Sequence, residues 1–246
     1  MTFHIITLFP EAIEKYLHSS ILGRAEKNKL IKFNLVDLRP FGLGKHKKAR
    51  PTGRSWSFGR VDDRPFGGGP GMVLKIEPIA KAIISILNPK HKTLNPKYRF
   101  HRVSSTKSGQ IQSTKSKKTK TRIILFSTRG KKFTQKEAKR LSKYSDLIFI
   151  CGRYEGGDER VAEHIADEEI SIGDFVLSGG ELPALIVTEA VSRHLPGVLG
   201  KTESLEEKNG SFPTYTRPPK FKNWKVPDVL ISGHHSKIKE WRKQLK

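Results

Sequence analysis

Between Ile150 and Leu199 the chain places three glycine-rich turns: Cys151-Gly152-Arg153-Tyr154-Glu155-Gly156-Gly157, Ile172-Gly173-Asp174-Phe175-Val176-Leu177 and Ser178-Gly179-Gly180-Glu181-Leu182-Pro183. Glycine costs backbone entropy in an ordered segment, so such clustering marks tight turns or places where something approaches the backbone closely. A ligand is the simplest such object. A fourth glycine cluster lies in Val61-Asp62-Asp63-Arg64-Pro65-Phe66-Gly67-Gly68-Gly69-Pro70-Gly71-Met72. No Gly-Lys-Ser/Thr follows it, and no turn spells G-x-G-x-x-G, which argues against a phosphate-loop hydrolase and a nicotinamide or flavin dehydrogenase. His234-His235 has no third histidine or cysteine at ligand spacing, so no metal site is expected. Cys151 is the only cysteine; within Leu147-Ile148-Phe149-Ile150-Cys151 it reads as a small buried hydrophobe.

Strands and helices in alternation are expected to position these turns. Phe3 to Leu8 reads as a buried strand, followed by Pro10 in the first turn of one helix carrying Ile13, Tyr16, Leu17, Ile21 and Leu22. Ile31 to Leu38 is a second strand, a long polar loop runs on through Asp63, and Ile76 to Leu87 is a helix. Arg122 to Phe126 is a strand ending at the turn Ser127-Thr128-Arg129-Gly130; helix Thr134 to Leu141 and strand Leu147 to Cys151 repeat the pattern. Helix Glu181 to Leu195 turns Leu182, Leu185, Ile186, Val191 and Leu195 to its apolar side and stops at Pro196-Gly197. A final helix begins near His235 or Lys237, with Ser232 or Ser236 as cap. Uniformly apolar strands alternating with helices imply an α/β fold with a mainly parallel sheet covered on both faces. Ligands bind such sheets beyond the carboxyl ends of the strands, where the glycine turns and Ser127 to Gly130 are expected to lie.

The charge points to a polyanion. Lys and Arg number 47 against 24 Asp and Glu, a net charge of +23. Charge alone does not separate nucleic acid from an anionic membrane. The chain has no apolar run long enough to span a bilayer, and its N-terminus has neither the basic region nor the cleavage site of a signal peptide, so a cytoplasmic protein without membrane association is expected. From Pro78 to Lys136 there is no acid among 59 residues, while 16 are Lys or Arg. Its middle, residues about 88–121, reads as a basic insertion. Lys45-His46-Lys47-Lys48-Ala49-Arg50, with Trp56 and Phe58 close behind, suits RNA, because cations meet phosphates and rings stack on unpaired bases.

Five segments, in this order, resemble the bacterial tRNA (guanine-N(1))-methyltransferases: Asp62 to Met72, Cys151 to Gly156, Ser171 to Pro183, Tyr215-Thr216-Arg217-Pro218, and Val226-Pro227 through Ser232-Gly233. The resemblance runs from Ile5 to about Arg242, interrupted by the basic insertion. It implies a SPOUT fold, a mainly parallel sheet with a deep C-terminal trefoil knot, plus a small helical C-terminal domain. The implied boundaries are a methyltransferase domain at 1–199, a linker at 200–219 and a tRNA-binding domain at 220–246. It further implies a homodimer with active sites between subunits, S-adenosylmethionine as methyl donor, tRNA as partner, and the guanosine immediately 3′ of the anticodon as acceptor; Mg²⁺ is left open. By position in the motifs, Ser127, Thr128, Gly152, Tyr154, Glu155, Gly156, Ser171, Ile172, Gly173, Asp174, Phe175, Val176, Leu177, Gly179, Gly180 and Pro183 would line the donor pocket. Asp63, Arg64, Gly68, Gly69, Ser204 and Arg217 would meet RNA.

Guanine N(1) carries a proton, so its methylation needs a base, and a cation near the exocyclic oxygen to stabilise the developing charge. The family arginine corresponds to Arg193. The family aspartate directly before Ser-Phe is replaced here by Gly210, before Ser211-Phe212, which leaves Glu207, or Glu206, as the expected base. A noncatalytic basic RNA-binding or assembly protein that kept the fold is the alternative the charge also permits.

Overall fold

The computed structural model describes residues 1–49, 55–88, 120–199 and 212–244, and for residues 45–58 only the backbone. The described chain falls into two compact units, Met1–Val198 and Leu199–Lys246.

The first unit is built on strands β1 (Thr2–Thr7) and β2 (Lys32–Asp37), the hairpin β3 (Leu43–Ala49) and β4 (Ser55–Arg60), the short pair β5 (Asp62–Asp63) and β6 (Val73–Leu74), and strands β7 (Thr121–Lys132), β8 (Asp146–Ile150) and β9 (Glu168–Ser171). Five of these form one sheet in the order β2-β1-β8-β7-β9, with every pairing parallel. Its helices are α1 (Glu14–Leu17), α2 (Ser20–Lys27), α3 (Ile76–Leu87), α4 (Gln135–Leu141), α5 (Glu159–His164) and α6 (Glu181–Ser192).

Successive side chains of a strand point to opposite faces, so an all-apolar strand feeds two cores. Ile124 and Phe126 of β7, with Leu147 and Phe149 of β8, pack against Leu17, Leu22, Leu141, Val187 and Val191 of α1, α2, α4 and α6. Ile123, Leu125, Ile148 and Ile150 face the other way, onto Ile79 and Ile83 of α3 and Val161 of α5. Each such fully buried side chain contributes roughly 1.5–3 kcal/mol. The cores therefore clamp the sheet from both sides and fix where its strands end.

Four expectations need correction. The first helix is broken into a 3₁₀ turn at Pro10–Ala12, α1 and α2, because Ser20 adopts φ 48 and restarts the chain in a new direction. The polar loop through Asp63 contains the antiparallel hairpin β3–β4. Strand β7 does not end at Phe126: Phe126 and Lys131 both pair with Ile170, so residues 127–130 loop out and pairing then resumes. In α6, Leu182 (56% exposed) and Ile186 (47% exposed) face outward, and the buried side is made by Pro183, Ala184, Leu185, Val187, Thr188, Val191 and Ser192.

Strand β9 and helix α5 were not expected. Strand β9 is half acidic, and its first acid is held by neighbours. Glu168 accepts from Arg122 at 2.8 Å and Arg140 at 2.6 Å, and Arg140 also meets Glu137 of α4 at 2.7 Å.

The second unit contains the hairpin β10 (Lys220–Phe221) and β11 (Trp224–Lys225) and the helices Asp228–Ile231 and His235–Gln244. Within it the Arg242 guanidinium lies 4.5 Å from the Phe212 ring centroid, a cation–π contact.

Candidate active site

Beyond the carboxyl ends of β7, β8 and β9 lies a cleft of about 500 Å³. Its walls are the looped-out segment of β7 (Ser127, Thr128, Arg129), the turn after β8 (Gly152 to Gly157), the segment from Ser171 at the end of β9 to Gly180 without Asp174, and Pro183 at the start of α6. Three neighbouring strands thus deliver three turns to one place, as a parallel sheet requires of a ligand site.

Close backbone packing holds the turns together. Gly180 donates its N–H to the carbonyl of Gly152 at 2.9 Å, and Arg153 bridges Gly179 in antiparallel fashion. A Cβ at Gly180 would stand 2.6 Å from the Cα of Cys151, so only glycine lets the two turns touch. Gly152 is different: a Cβ there would meet nothing in the protein nearer than the Phe126 carbonyl oxygen at 3.9 Å. Its missing side chain leaves room in the cleft.

This contrast separates two substitutions. Gly180→Ala forces backbone against backbone and is expected to cost about 3 kcal/mol, lowering the melting temperature by roughly 6–12 °C in a scanning-calorimetry comparison. Gly152→Ala should shift melting by no more than about 2 °C, while raising the dissociation constant of the cleft's ligand roughly 5- to 150-fold in titration calorimetry.

A buried polar network supports the same turns from below. Thr7, at the end of β1, donates through Oγ1 to Glu181 Oε1 at 2.6 Å and accepts from the N–H of Phe9 at 2.9 Å. Arg153 Nε reaches the Glu181 carboxylate at 3.1 and 3.2 Å, and its guanidinium lies 4.5 Å from the Phe9 ring centroid. Glu181 is only 4% exposed, and these partners supply the hydrogen bonds a buried carboxylate needs. Burial, reinforced by the Glu181 carboxylate, pushes the Cys151 thiol well up, so Cys151 is a packing residue in the core beneath the cleft.

The lining is acidic in a strongly basic chain. Glu155, Asp158, Glu159 and Glu169 line the cleft; Arg129 is paired with Glu159, Asp158 with Arg160 and Arg153 with Glu181, which leaves Glu155 and Glu169 without an ion pair among the described residues. One carboxylate oxygen of Glu169 is buried without a protein partner. Ile172, Phe175, Val176, Leu177 and Pro183 supply apolar surface. Such a cleft suits a cationic ligand with a flat apolar part. S-Adenosylmethionine, a sulfonium cation bearing an adenine, fits this description.

Of the residues expected around a donor, the cleft brings together Ser127, Thr128, Gly152, Tyr154, Glu155, Gly156, Ser171, Ile172, Gly173, Phe175, Val176, Leu177, Gly179, Gly180 and Pro183. Asp174 lies outside the lining, its carboxylate paired with Lys132 on the outer side. Arg129, Asp158, Glu159 and Glu169 were not expected. Asp158 caps α5 through the N–H of Arg160, and an aspartate followed by a first-turn glutamate was a readable helix start.

The loop between β5 and β6 lies beside the turn after β8. Glu155 donates its N–H to the Met72 carbonyl at 3.1 Å, and Leu74 donates to that of Gly156 at 3.0 Å. Asp63 is ion-paired with Lys75 at 2.8 Å, and that ammonium holds its carboxyl below the usual range. Arg64, Gly68 and Gly69 are exposed, both glycines at positive φ. Burial, and then the Asp62 carboxylate of β5, push the Tyr154 phenol up. Arg193 is half-buried at the C-terminal end of α6 and is not part of the lining. Arg217 is exposed in the second unit, while Ser204, Glu206, Glu207 and most of the basic insertion lie outside the described residues. Among the described residues no three His, Cys, Asp or Glu side chains are grouped to hold a metal ion, and no helix is long and apolar enough to cross a membrane.

Comparison with known proteins agrees with this geometry. The family model described as tRNA (Guanine-1)-methyltransferase TrmD matches residues 1–246. The tRNA (guanine-N(1)-)-methyltransferase of Bacillus pumilus is 43% identical over 249 residues, covering 99% of this chain and 86% of the relative. That of Dehalococcoides mccartyi is 41% identical over 249 residues, covering 99% and 85%. The crystal structure of tRNA (m1G37) methyltransferase from Aquifex aeolicus superimposes with a TM-score of 0.69 at 37% identity, covering 98% of this chain and 87% of that one. The mainly parallel sheet, the cleft at its strand ends and the match along the whole sequence lead to one conclusion: the chain belongs to the tRNA (guanine-1)-methyltransferase family.

Proposed function

We propose that the protein transfers a methyl group from S-adenosylmethionine to N(1) of the guanosine immediately 3′ of the anticodon in tRNA. The observation that carries this reading is the acidic, main-chain-lined cleft at the ends of β7, β8 and β9 in a chain of net charge +23. A protein that only bound RNA would have no use for such a cleft. The donor supplies an electrophilic methyl group on a sulfonium.

The chain's own residues do the rest. The glycine turns admit the adenosine part, and the acids of the lining complement the cation. A linker glutamate, Glu207 or Glu206, takes the N(1) proton of the acceptor base, and Arg193 faces the exocyclic oxygen where negative charge develops. Asp63, Arg64, Gly68 and Gly69 beside the cleft, with Ser204 and Arg217, meet the RNA, and the basic insertion adds phosphate contacts. On this reading the protein works on tRNA in the cytoplasm.

Arg193 is absent from the lining of its own chain's cleft, so the reading includes a homodimer with active sites between copies. Supporting it is an outward stripe on α6, where Leu182, Ile186 and Glu189 recur at helical spacing and Tyr16 hydrogen-bonds Glu189. The trefoil knot belongs to the same reading. It is supported by the match of the whole chain to the tRNA (guanine-1)-methyltransferase family model.

The test is incorporation of labelled methyl groups into tRNA transcripts with guanosine or adenosine immediately 3′ of the anticodon, with and without Mg²⁺. Incorporation into the guanosine transcript alone supports the reading, and equal incorporation into both overturns it.

A further inference from the structure

The second unit carries an aromatic surface that its own packing leaves uncovered. Strands β10 and β11 form a hairpin around Lys222 and Asn223, extended by a hydrogen bond from the Val226 N–H to the Pro219 carbonyl at 3.0 Å. In its register Phe221 lies opposite Trp224 and Lys220 opposite Lys225. The two rings share one face, with centroids 5.9 Å apart, yet Phe221 is 56% and Trp224 72% exposed. The Lys222 ammonium stands 5.7 Å from the Phe221 centroid.

Neither feature favours the isolated protein. Large exposed rings forgo burial, and like charges directly opposite on a hairpin repel. A two-stranded hairpin is marginal by itself, so the chain keeps these residues in a costly arrangement. The first cost disappears if an aromatic, phosphate-bearing group stacks its base on the rings, with Lys222 beside Phe221 to meet its phosphate; by strand alternation Lys220 and Lys225 lie on the other face. The cores of protein–protein interfaces are depleted in lysine, and bases stacked inside a duplex offer no free face.

We propose that the hairpin Lys220–Lys225 is a stacking platform for an unpaired nucleotide of the tRNA substrate, with Trp224 and Phe221 as the platform and Lys222 as its phosphate contact. This rests on tRNA being the substrate. The hairpin holds the RNA and takes no part in methyl transfer, so its loss changes grip rather than chemistry.

The test uses the full-length protein and a tRNA transcript. Trp224→Ala should raise both the tRNA KM and the equilibrium dissociation constant roughly 5- to 150-fold, the range expected for one lost base stack. The kcat at saturating tRNA and the donor dissociation constant should stay within about twofold, and Trp224→Phe should recover most of the binding because it keeps a ring face. Lys222→Ala should lessen the slope of log K against log salt by about 0.7, the value for one cation on a single strand. The proposal is overturned if Trp224→Ala leaves tRNA binding unchanged, or if Trp224→Phe is as weak as Trp224→Ala. It is also overturned if Trp224→Ala dissociates the protein into monomers in light scattering with tRNA affinity retained, since the face would then be a contact between copies. Wild-type protein that binds and methylates no tRNA would fail the substrate reading itself, and the wild-type control reports that separately.

Discussion

Arg193→Ala is expected to lower the single-turnover rate of methyl transfer by about 10²- to 10³-fold, the loss typical of removing one preorganised donor to a developing oxyanion. As the proton leaves guanine N(1), negative charge spreads to the exocyclic oxygen until the arriving methyl group neutralises it. A fixed guanidinium there acts where water is excluded and is worth more than in bulk solvent. Arg193 sits in the last turn of α6, where its backbone N–H donates to the Glu189 carbonyl at 3.1 Å, so the helix fixes its Cα firmly. A cation at that place also complements the helix dipole, a role worth only about 0.3–1 kcal/mol. The two roles separate cleanly. Arg193→Lys preserves the dipole and the charge but not the forked donor geometry, and should recover only part of the rate. A fall of less than about fivefold for Arg193→Ala, or a loss explained by a lower melting temperature, would leave the arginine as a helix cap only.

Much of this arrangement is legible in the sequence. Strands β1 and β8 and helix α3 announce themselves because they are buried on two faces or carry one continuous apolar stripe. The cleft is legible for the same reason its glycines exist: Gly180 packs so closely on Cys151 that a Cβ would stand 2.6 Å from its Cα, and Gly152 must leave space. What stays hidden depends on distant partners. Strand β9 reads as polar because the ion pairs of Glu168 with Arg122 and Arg140 come from residues 46 and 28 positions away. Glu169, alone among the cleft acids in keeping a buried oxygen without a protein partner, has no local signature at all. The outward turn of Leu182 and Ile186 is equally unreadable, since an apolar stripe does not say whether its own chain or another covers it.

The second large effect concerns the base. Glu206→Ala combined with Glu207→Ala should lower the single-turnover rate by 10²-fold or more, the usual contribution of a general base. Each single variant is expected to fall less, because neighbouring glutamates with long side chains substitute for one another. The double variant should also lose the acid limb of the pH–rate profile, since that limb reports protonation of the base. Donor binding should be untouched, as a base that acts on the guanine N(1) proton takes no part in holding the donor. If the double variant keeps its rate within about twofold and its pH profile unchanged, the proton is taken by another group and the linker acids have no catalytic part.

The central claim is that the cleft serves methylation of one atom of one tRNA base. The most direct measurement is digestion of methylated tRNA to nucleosides, with mass-spectrometric identification of the product and mapping of its position. The account predicts 1-methylguanosine immediately 3′ of the anticodon and nowhere else. A methyl group on another atom or at another position, or no methylation by a protein that binds S-adenosylmethionine, would contradict it.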